Sequence, residues 1–446
     1  MKTVLGEALR PKFIGLKRNY LAILIGMQLM AFTTNQFIAS YFNITVLEMI
    51  SYKTQDGHCD DLNRTGIGEH CFGDFYYGFL FANSDNPYLT EYFNAYPPLA
   101  LFLLKPFIYL NDFAPRSLFA IGLYLATNLV CVIIAITVLT KDLRLDTRLR
   151  VFSAALFGAP LIVSIDRGNN IVYVLFLLVL FLDSASRGRF ANVILLGTML
   201  TLLKPQMLLL CLVFLKRDTI NVFFRYIAFS LPVFFTSFLL FPKSFPENIT
   251  NWFQASGNYQ AYSNTTIMPV NISLSNSLGI MKTFVEYLFS GDYEIYSFSM
   301  VSNMLLMFSL IALVVAKLLF VHQGNYNFAE RSLLVVLLII LAPGTTFHYY
   351  YLLLVPFMRY CLNESDFKYT LGNFSEFKLT SKIRGIFLTL ILLIIPCWGI
   401  PAKYLFPSIT ESDISIHWQI ANIVSALLFF VILARGKKTV TYAKNM

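Results

Sequence analysis

Charged residues are scarce in this chain. Only 13% of its 446 residues are Asp, Glu, Lys or Arg, whereas 57% are hydrophobic. A soluble domain carries about a quarter charged residues, so this composition indicates a membrane protein. Apolar runs recur along the whole sequence, which excludes a large soluble domain. Because backbone amides in lipid need internal partners, runs of this length favour helices over barrel strands.

Signatures of common enzyme classes are also missing. The sequence has no glycine-rich phosphate loop, no HExxH metal motif and no nucleophile elbow. The nearest acidic pair, Asp60-Asp61, is better interpreted as a solvated turn, so we expect no metal and no cofactor. The net charge of +9 does not predict a nucleic-acid partner. Lys and Arg lie in short clusters between apolar runs, a pattern that sets membrane orientation.

Cysteine is rare, with six residues in the chain. Four are expected to be small buried hydrophobic residues because they lie in or beside apolar runs: Cys131, Cys211, Cys361 and Cys397. Cys59 and Cys71 share the first polar loop. A disulfide between them would need an oxidising compartment, and their spacing alone leaves the bond open.

The apolar runs predict an all-α polytopic membrane protein in which residues 1–446 form a single transmembrane domain. A crossing helix needs about 20 residues. We place 12 spans near residues 20–42, 116–140, 151–165, 170–183, 190–204, 206–216, 222–241, 297–321, 332–343, 349–361, 385–403 and 418–434. Several are short for a full crossing, so strongly tilted or re-entrant segments are expected among them.

The segment 96–110 decides the parity of these spans. It is apolar, but it is short, opens with two prolines and contains Lys105. If it crosses the membrane, the basic cluster 141–150 faces outward. If it is an interfacial helix, 25 of the 34 Lys and Arg residues face the cytoplasm. The positive-inside rule favours the interfacial helix, with both chain termini in the cytoplasm.

This topology places two long polar segments outside, residues 43–115 and 242–296. Both are rich in Asn, Asp, Ser, Tyr and Gly. Transporters tend to have short connections and a site near the membrane midplane. Two large external loops instead suit a reaction at the outer surface of a plasma-membrane protein.

Asp74 is the first candidate for catalysis. It lies in the first external loop between aromatic residues rather than among other charges. Such a carboxylate can act as a general base towards a hydroxyl, although a helix N-cap or a solvated loop acid would look the same. Pro97-Pro98 fixes the chain where it enters the membrane plane, which is also compatible with a purely structural bend.

Three cationic or titratable residues lie at the predicted outer ends of helices. Arg167, Lys204 and His348 each accompany a Gly or Pro that interrupts apolar sequence. Each alone is compatible with a snorkelling side chain or an ordinary turn. Because the charge argument places all three on one face, together they predict a pocket for a phosphate.

An ordered set of motifs resembles glycosyltransferase family 87, membrane enzymes of the GT-C superfamily that transfer sugars from polyprenyl phosphate. The similarity extends from about residue 73 to residue 351. It rests on GDFYYGFLFANSDNPY, YPPLALFLLKP, RGNNIVYVLFLLVL, LLKPQMLLL, NISLSNSLG and LAPGTTFHYYYLLLVP. The family includes mycobacterial mannosyl- and arabinofuranosyltransferases.

The resemblance implies roles for particular residues. Asp74 would deprotonate the acceptor hydroxyl, and His348 would contact the donor phosphate or sugar. Arg167, Lys204 and Gln206 would hold the phosphate. The matching motifs also imply substrate contacts for Tyr96, Pro97, Pro98, Asn169, Asn271, Ser273 and Tyr349. The expected partners are a polyprenyl-phosphate-sugar donor, a lipid-linked or glycan acceptor and membrane lipids.

Two departures from the family pattern leave the sugar and the acceptor open. The family usually has a Trp shortly before the histidine, where this chain has Thr345-Thr346-Phe347. The first loop also contains an insertion-like stretch over 51–71. A transporter or lipid flippase is the alternative function, and a non-catalytic member of the fold is a third. A transporter would predict charged residues deep within helices and two related halves, and the sequence shows neither.

Overall fold

The computed structural model describes residues 73–89, 94–113, 118–143, 145–156, 158–265, 271–290, 299–320, 328–362 and 416–434, with a few single positions outside them. Cys59, Cys71 and the Asp60-Asp61 turn lie outside the described residues, as do nearly all of the spans predicted near 20–42 and 385–403. Within the described ranges the regular structure is helical, without strands apart from an isolated bridge between Asn271 and Phe347. The all-α expectation is confirmed.

The described ranges contain fifteen α-helices. Those before residue 204 are α1 Gly73–Asn83, α2 Pro98–Phe102, α3 Lys105–Phe113, α4 Leu118–Thr140, α5 Leu145–Leu156, α6 Ala159–Arg167, α7 Ile171–Ser186 and α8 Phe190–Leu203. Those after it are α9 Ile220–Thr236, α10 Phe245–Thr265, α11 Leu274–Ser290, α12 Met300–Phe320, α13 Phe328–Leu341, α14 Val355–Leu362 and α15 Ile416–Ala434. Three 3₁₀ helices join them, Pro205–Phe214, Ser237–Leu240 and His348–Leu354.

Three helical stretches are long and apolar enough to cross a membrane. They are Gly122–Thr140, Ile220–Leu240 and Val301–Leu319, and no more than a third of each is buried inside the protein. Their remaining apolar side chains face outward, as expected where lipid is the solvent. The protein is therefore an all-α membrane protein, and the count of 12 spans stays a prediction.

The segment predicted to span near 206–216 is a 3₁₀ helix rather than an α-helix. Pro205 begins it, and the residue before a proline is disfavoured in the α conformation, so α8 ends at Leu203. A 3₁₀ helix rises about 2.0 Å per residue against 1.5 Å in an α-helix. These ten residues therefore reach about 20 Å, which partly offsets the shortness of the segment.

Prolines also divide the segment predicted as one interfacial helix over 96–110. The structure contains two short helices there, α2 and α3, separated by a turn at Leu103-Leu104. Pro98 and Pro106 lie in their first turns, where a missing N–H leaves no extra hydrogen bond unmade. The segment predicted as the second external loop, 242–296, contains α10 and α11.

The core is organised around α7 and α13. Helix α7 packs against α4 and α8 and against the 3₁₀ helix His348–Leu354. Helix α13 is buried on every side from Ser332 to Leu341, as expected for a helix that is apolar all round. This core fixes the ends of α6, α8 and α13, which is where the candidate site residues lie.

Candidate active site

Both carboxylate oxygens of Asp74 are held by the segment 167–169. Asp74 lies in the first turn of α1 with a side chain that is 14% exposed. Arg167 Nη2 donates to Asp74 Oδ1 over 3.2 Å, and Asn169 Nδ2 donates to Asp74 Oδ2 over 2.6 Å. The Asn169 amide orientation is set independently, because its Oδ1 accepts from the Ile171 amide at 2.9 Å. Asp74 is thus held in one orientation by two donors, one of which is the guanidinium of Arg167.

Gly168 brings Arg167 and Asn169 to the same carboxylate. It ends α6 with φ 64° and ψ 32°, a left-handed conformation that glycine adopts without strain. The Gly168 amide donates to Ile165 O and the Asn169 amide to Ser164 O, each over 3.0 Å. This pattern is a Schellman motif. The sharp reversal it makes places the residues on both sides of Gly168 against α1.

Tyr124 ties this turn to the Asp74 helix. Its hydroxyl, buried within α4, donates to the main-chain oxygen of Gly168 over 2.9 Å. The ring of Phe75, adjacent to Asp74 in the chain, packs on the Tyr124 ring with centroids 4.5 Å apart. A single tyrosine therefore contacts both halves of the site. Its sequence context, one phenol in a long apolar helix, does not predict this role.

Tyr96 lies beside Asp74 at the start of the proline segment. Its hydroxyl accepts from Asn169 Nδ2 over 3.3 Å, and its amide donates to Asn94 Oδ1 over 2.9 Å. Trp252 of α10 donates to the adjacent Ala95 oxygen over 3.3 Å. Burial raises the pKa of the Tyr96 phenol well above its usual range, and the negative charge of Asp74 acts in the same direction. The phenol therefore stays protonated and can donate to a substrate oxygen.

Lys204 supplies a buried positive charge. It follows the last residue of α8, and only 7% of it is exposed. Its ammonium lies 4.7 Å from the centroid of the Tyr96 ring and 5.6 Å from that of Tyr350, within cation–π range. Asp74 is within electrostatic reach, but among the described residues no carboxylate forms an ion pair with Lys204. A buried charge without a counter-ion favours binding of an anion.

Gln206 lies two residues after Lys204, in the 3₁₀ helix Pro205–Phe214. Its Nε2 donates to the Tyr350 hydroxyl over 2.7 Å, which joins the LKPQ segment to the segment after His348. Pro97 and Pro98 are buried beside Tyr96, and Pro98 begins α2. The structure therefore brings Tyr96, Lys204 and Gln206 together, and Tyr350, which is not among the site residues predicted from the sequence, contacts both Lys204 and Gln206.

His348 begins the 3₁₀ helix His348–Leu354 and is 2% exposed. Its ring centroid lies 5.9 Å from that of Tyr349, and Tyr349 stacks between Phe347 and Tyr350. Tyr349 is within electrostatic reach of Asp74 and Tyr96. Tyr349 therefore lies between His348 and the group formed by Asp74 and Tyr96. Among the described contacts, none joins His348 directly to Asp74.

Asn271 and Ser273 contact the loop that precedes His348. Asn271 Oδ1 accepts from the Thr346 amide over 3.0 Å, and its Nδ2 donates to Gly344 O over 3.1 Å. Ser273 Oγ also donates to Gly344 O, over 3.0 Å. Both side chains thus hold the loop that precedes His348. Their expected contact with substrate stays a prediction.

Tyr259 is a further neighbour that nothing in its sequence context indicated. It lies in α10, a mostly polar helix, and its phenol is close enough to Tyr96 to raise the pKa of that group. Tyr259 is also within electrostatic reach of Tyr349 and Tyr350. Four tyrosines from three separate parts of the chain are therefore within electrostatic reach of one another, and two of them, Tyr96 and Tyr350, lie beside Lys204.

Comparison with known families identifies the family of the chain. The sequence model of glycosyltransferase family 87 matches residues 93–343, more than half of the chain. The chain belongs to glycosyltransferase family 87. A comparison with curated proteins found no match.

Membership of family 87 implies that the chain transfers a sugar from a donor to an acceptor, and it is consistent with the GT-C superfamily. The matched range includes Tyr96, Arg167 and Lys204. Asp74, His348 and Tyr349 lie outside it, and the structure attaches Asp74 to the family 87 region through Arg167 and Asn169.

Proposed function

We propose that the protein is an inverting glycosyltransferase that moves a hexose or pentose from a polyprenyl-phosphate donor to a lipid-linked or cell-envelope glycan acceptor. The reaction takes place on the extracytoplasmic side of the plasma membrane. One observation supports this most directly. A fixed carboxylate, Asp74, and a buried cation without a described counter-ion, Lys204, share one cluster at the ends of apolar helices.

Asp74 acts as the general base. It accepts the proton of the acceptor hydroxyl while the hydroxyl oxygen bonds to the anomeric carbon of the donor sugar. Arg167 and Asn169 keep the carboxylate in one orientation, which lowers the entropy lost in reaching the transition state. The carbon–oxygen bond to the phosphate breaks on the opposite face of the sugar, so the anomeric configuration inverts.

Lys204 binds the donor phosphate and neutralises the charge that grows on the leaving oxygen. The guanidinium of Arg167 has five N–H donors. Arg167, which is paired with Asp74, is the second residue proposed to contact the phosphate. Gln206, His348 and Tyr349 complete the contacts with the donor head group.

The donor class fits the position of the cluster at the end of the apolar helices. A polyprenyl tail stays in the bilayer, because each buried methylene contributes about 0.8 kcal/mol. Its head group must therefore be met at the interface, beside α2 and α3. The tyrosine rings around Lys204 offer apolar faces on which a sugar ring can stack.

The test is transfer by the purified protein in lipid nanodiscs, with radiolabelled polyprenyl-phosphate mannose and polyprenyl-phosphate arabinose as separate donors. We expect transfer from one of them. Asp74→Asn should lower kcat by about 10²- to 10⁴-fold, the usual contribution of a general base, with donor binding retained.

The matched control is Asp85→Asn, which changes an exposed carboxylate just after the same helix and should transfer at the wild-type rate. Wild-type transfer by Asp74→Asn would show that Asp74 is not the base. Transfer from nucleotide sugars but from neither polyprenyl phosphate would overturn the donor class.

A further inference from the structure

The C-terminal helix α15 has a row of buried polar side chains. Gln419, Asn422 and Ser425 are spaced by three residues, so they lie on one face of the helix. Their exposed fractions are 5%, 0% and 0%. We call these three residues the polar stripe. The matched range of family 87 ends at residue 343, so the whole stripe lies beyond it.

The polar stripe is hydrogen-bonded to the segment 271–277. Gln419 Oε1 accepts from the Ser277 hydroxyl, and Gln419 Nε2 donates to the main-chain oxygen of Asn271 over 3.3 Å. Asn422 Nδ2 donates to the main-chain oxygen of Ser273 over 3.2 Å and to the Ser277 hydroxyl. The C-terminal helix therefore holds the segment on both sides of Ile272.

The segment 271–277 in turn holds the loop before His348. The Asn271 side chain bonds main-chain groups of Gly344 and Thr346, and the Ile272 amide donates to Thr346 O over 2.6 Å. The hydrogen bonds thus continue from Gln419 through Asn271 to a residue two positions before His348.

The stripe also reaches the chain after the histidine. The Ser425 hydroxyl lies beside the hydroxyl of Tyr351, which belongs to the 3₁₀ helix that His348 begins. Contacts of α15 therefore bracket His348 on both sides. Buried amide groups need partners wherever water is absent, so these bonds allow few alternative positions for the loop.

We infer that the polar stripe of α15 positions His348 in the active site, with Gln419 and Asn422 as positioning residues that contact no substrate. The juxtaposition of the stripe, the segment 271–277 and the loop 342–347 supports this inference. Its catalytic consequence rests on the proposed function, whereas its structural consequence does not. The two can therefore be tested separately.

The structural test uses a reporter cysteine, Thr345→Cys, in a variant whose native cysteines are replaced. Gln419→Leu removes the bonds to the Ser277 hydroxyl and to the Asn271 oxygen at similar side-chain size. We expect the reporter to react with a small maleimide at least about fivefold faster in Gln419→Leu than in its parent, because the loop opens more often. Asn422→Leu is a second variant with the same expectation, should Gln419→Leu not fold.

The same variants are assayed for transfer. Gln419→Leu should lower kcat by about tenfold and leave the KM for the acceptor within about twofold, as expected when only the transition-state geometry is disturbed. Adding Gln419→Leu to Asn271→Ala should increase the labelling rate little further, because both changes break the same chain of contacts.

The matched control is Thr198→Val, which removes a buried hydrogen bond of 2.8 Å between Thr198 and Ser230, on helices α8 and α9. It should change neither the labelling rate nor kcat. Unchanged labelling in both Gln419→Leu and Asn422→Leu would overturn the inference. Faster labelling in a protein that transfers no polyprenyl-linked sugar would support the positioning and contradict the proposed function.

Discussion

Asp74 and Lys204 have opposite charges in one cluster, yet their partners differ. Asp74 has an ion pair with Arg167 and a hydrogen bond from Asn169, whereas Lys204 has aromatic rings and no described ion pair. A carboxylate with two donors keeps one orientation. A cation packed on rings, with no described carboxylate partner, is placed to pair with an anionic ligand. This difference separates the residue proposed to act on the acceptor from the residue proposed to bind the donor.

Replacing Lys204 should weaken donor binding selectively. Hydrogen bonds to charged groups contribute about 1.5–3 kcal/mol, so Lys204→Met should raise the donor Kd by about 10- to 100-fold. Acceptor binding should change little. Donor titration in nanodiscs measures the effect, and Lys216→Met is the control. Lys216 pairs with Asp218 after the far end of the same 3₁₀ helix, and an equal loss of binding in Lys216→Met would contradict the assignment.

Asn169→Ala should reduce the rate rather than the affinity. It removes one of the two donors to Asp74 while the ion pair with Arg167 remains. Loss of orientation should lower kcat by about tenfold, with the donor Kd within about twofold. Steady-state kinetics with both substrates varied provides the measurement. The neighbouring substitution Asn170→Ala is the control, and an unchanged kcat in Asn169→Ala would show that the bond does not contribute.

At the scale of single elements, the left-handed turn at Gly168 can be compared with a similar turn at Gly188. Gly188 follows α7 with φ 68°, and Gly168 follows α6 with φ 64°. Alanine in this conformation costs about 1–2 kcal/mol, so Gly168→Ala and Gly188→Ala should lower the thermal stability by similar amounts. Only Gly168→Ala should also impair transfer, because it displaces Arg167 and Asn169.

Thermal unfolding in detergent and the nanodisc transfer assay together check this pair. A Cβ at Gly188 would meet no atom within 4 Å, so the strain there is confined to the backbone. Equal activity in both variants would show that the geometry of the Gly168 turn is not needed for transfer.

Hydrophobic runs and prolines predicted where most elements lie, but not their form. Helix α4 occupies nearly the whole span predicted over 116–140. The span predicted over 206–216 is instead a 3₁₀ helix that begins at Pro205, and Pro205 restricts the residue before it, so the preceding α-helix ends at Leu203. Apolar composition is common to both helix types, so it could not distinguish them.

At the scale of the whole molecule, the charge argument predicts which side each loop faces. In a variant without native cysteines, Pro106→Cys should react with a membrane-impermeant maleimide applied to intact cells. Leu145→Cys should react only after the membrane is broken. Leu145 is 69% exposed, so lack of reaction there would not result from burial. Reaction of both sites, or of Leu145→Cys alone, would reverse the predicted parity.

The candidate site was only partly predictable because its residues come from distant parts of the chain. Charge counts predict that Arg167, Lys204 and His348 share one face. The aromatic surroundings of Asp74 make it a candidate base, and the resemblance to a family adds Asn169. No sequence pattern indicated that Arg167 would pair with Asp74 rather than stand alone, since that contact depends on the turn at Gly168. Tyr124 and Tyr259 were missed because a tyrosine in an apolar or polar helix has many ordinary roles.

The buried residues at the start of the 3₁₀ helix Pro205–Phe214 predict how the protein responds to a deletion in this segment. Lys204, Met207, Leu210 and Val213 are all buried and repeat every third residue, which places them in one line where three residues complete a turn. Removing Leu208 or Leu209 would rotate Lys204 by about 120° relative to the remaining anchors. Its ammonium would then turn away from Tyr96, so a one-residue deletion in this short segment should weaken donor binding much as loss of the lysine does.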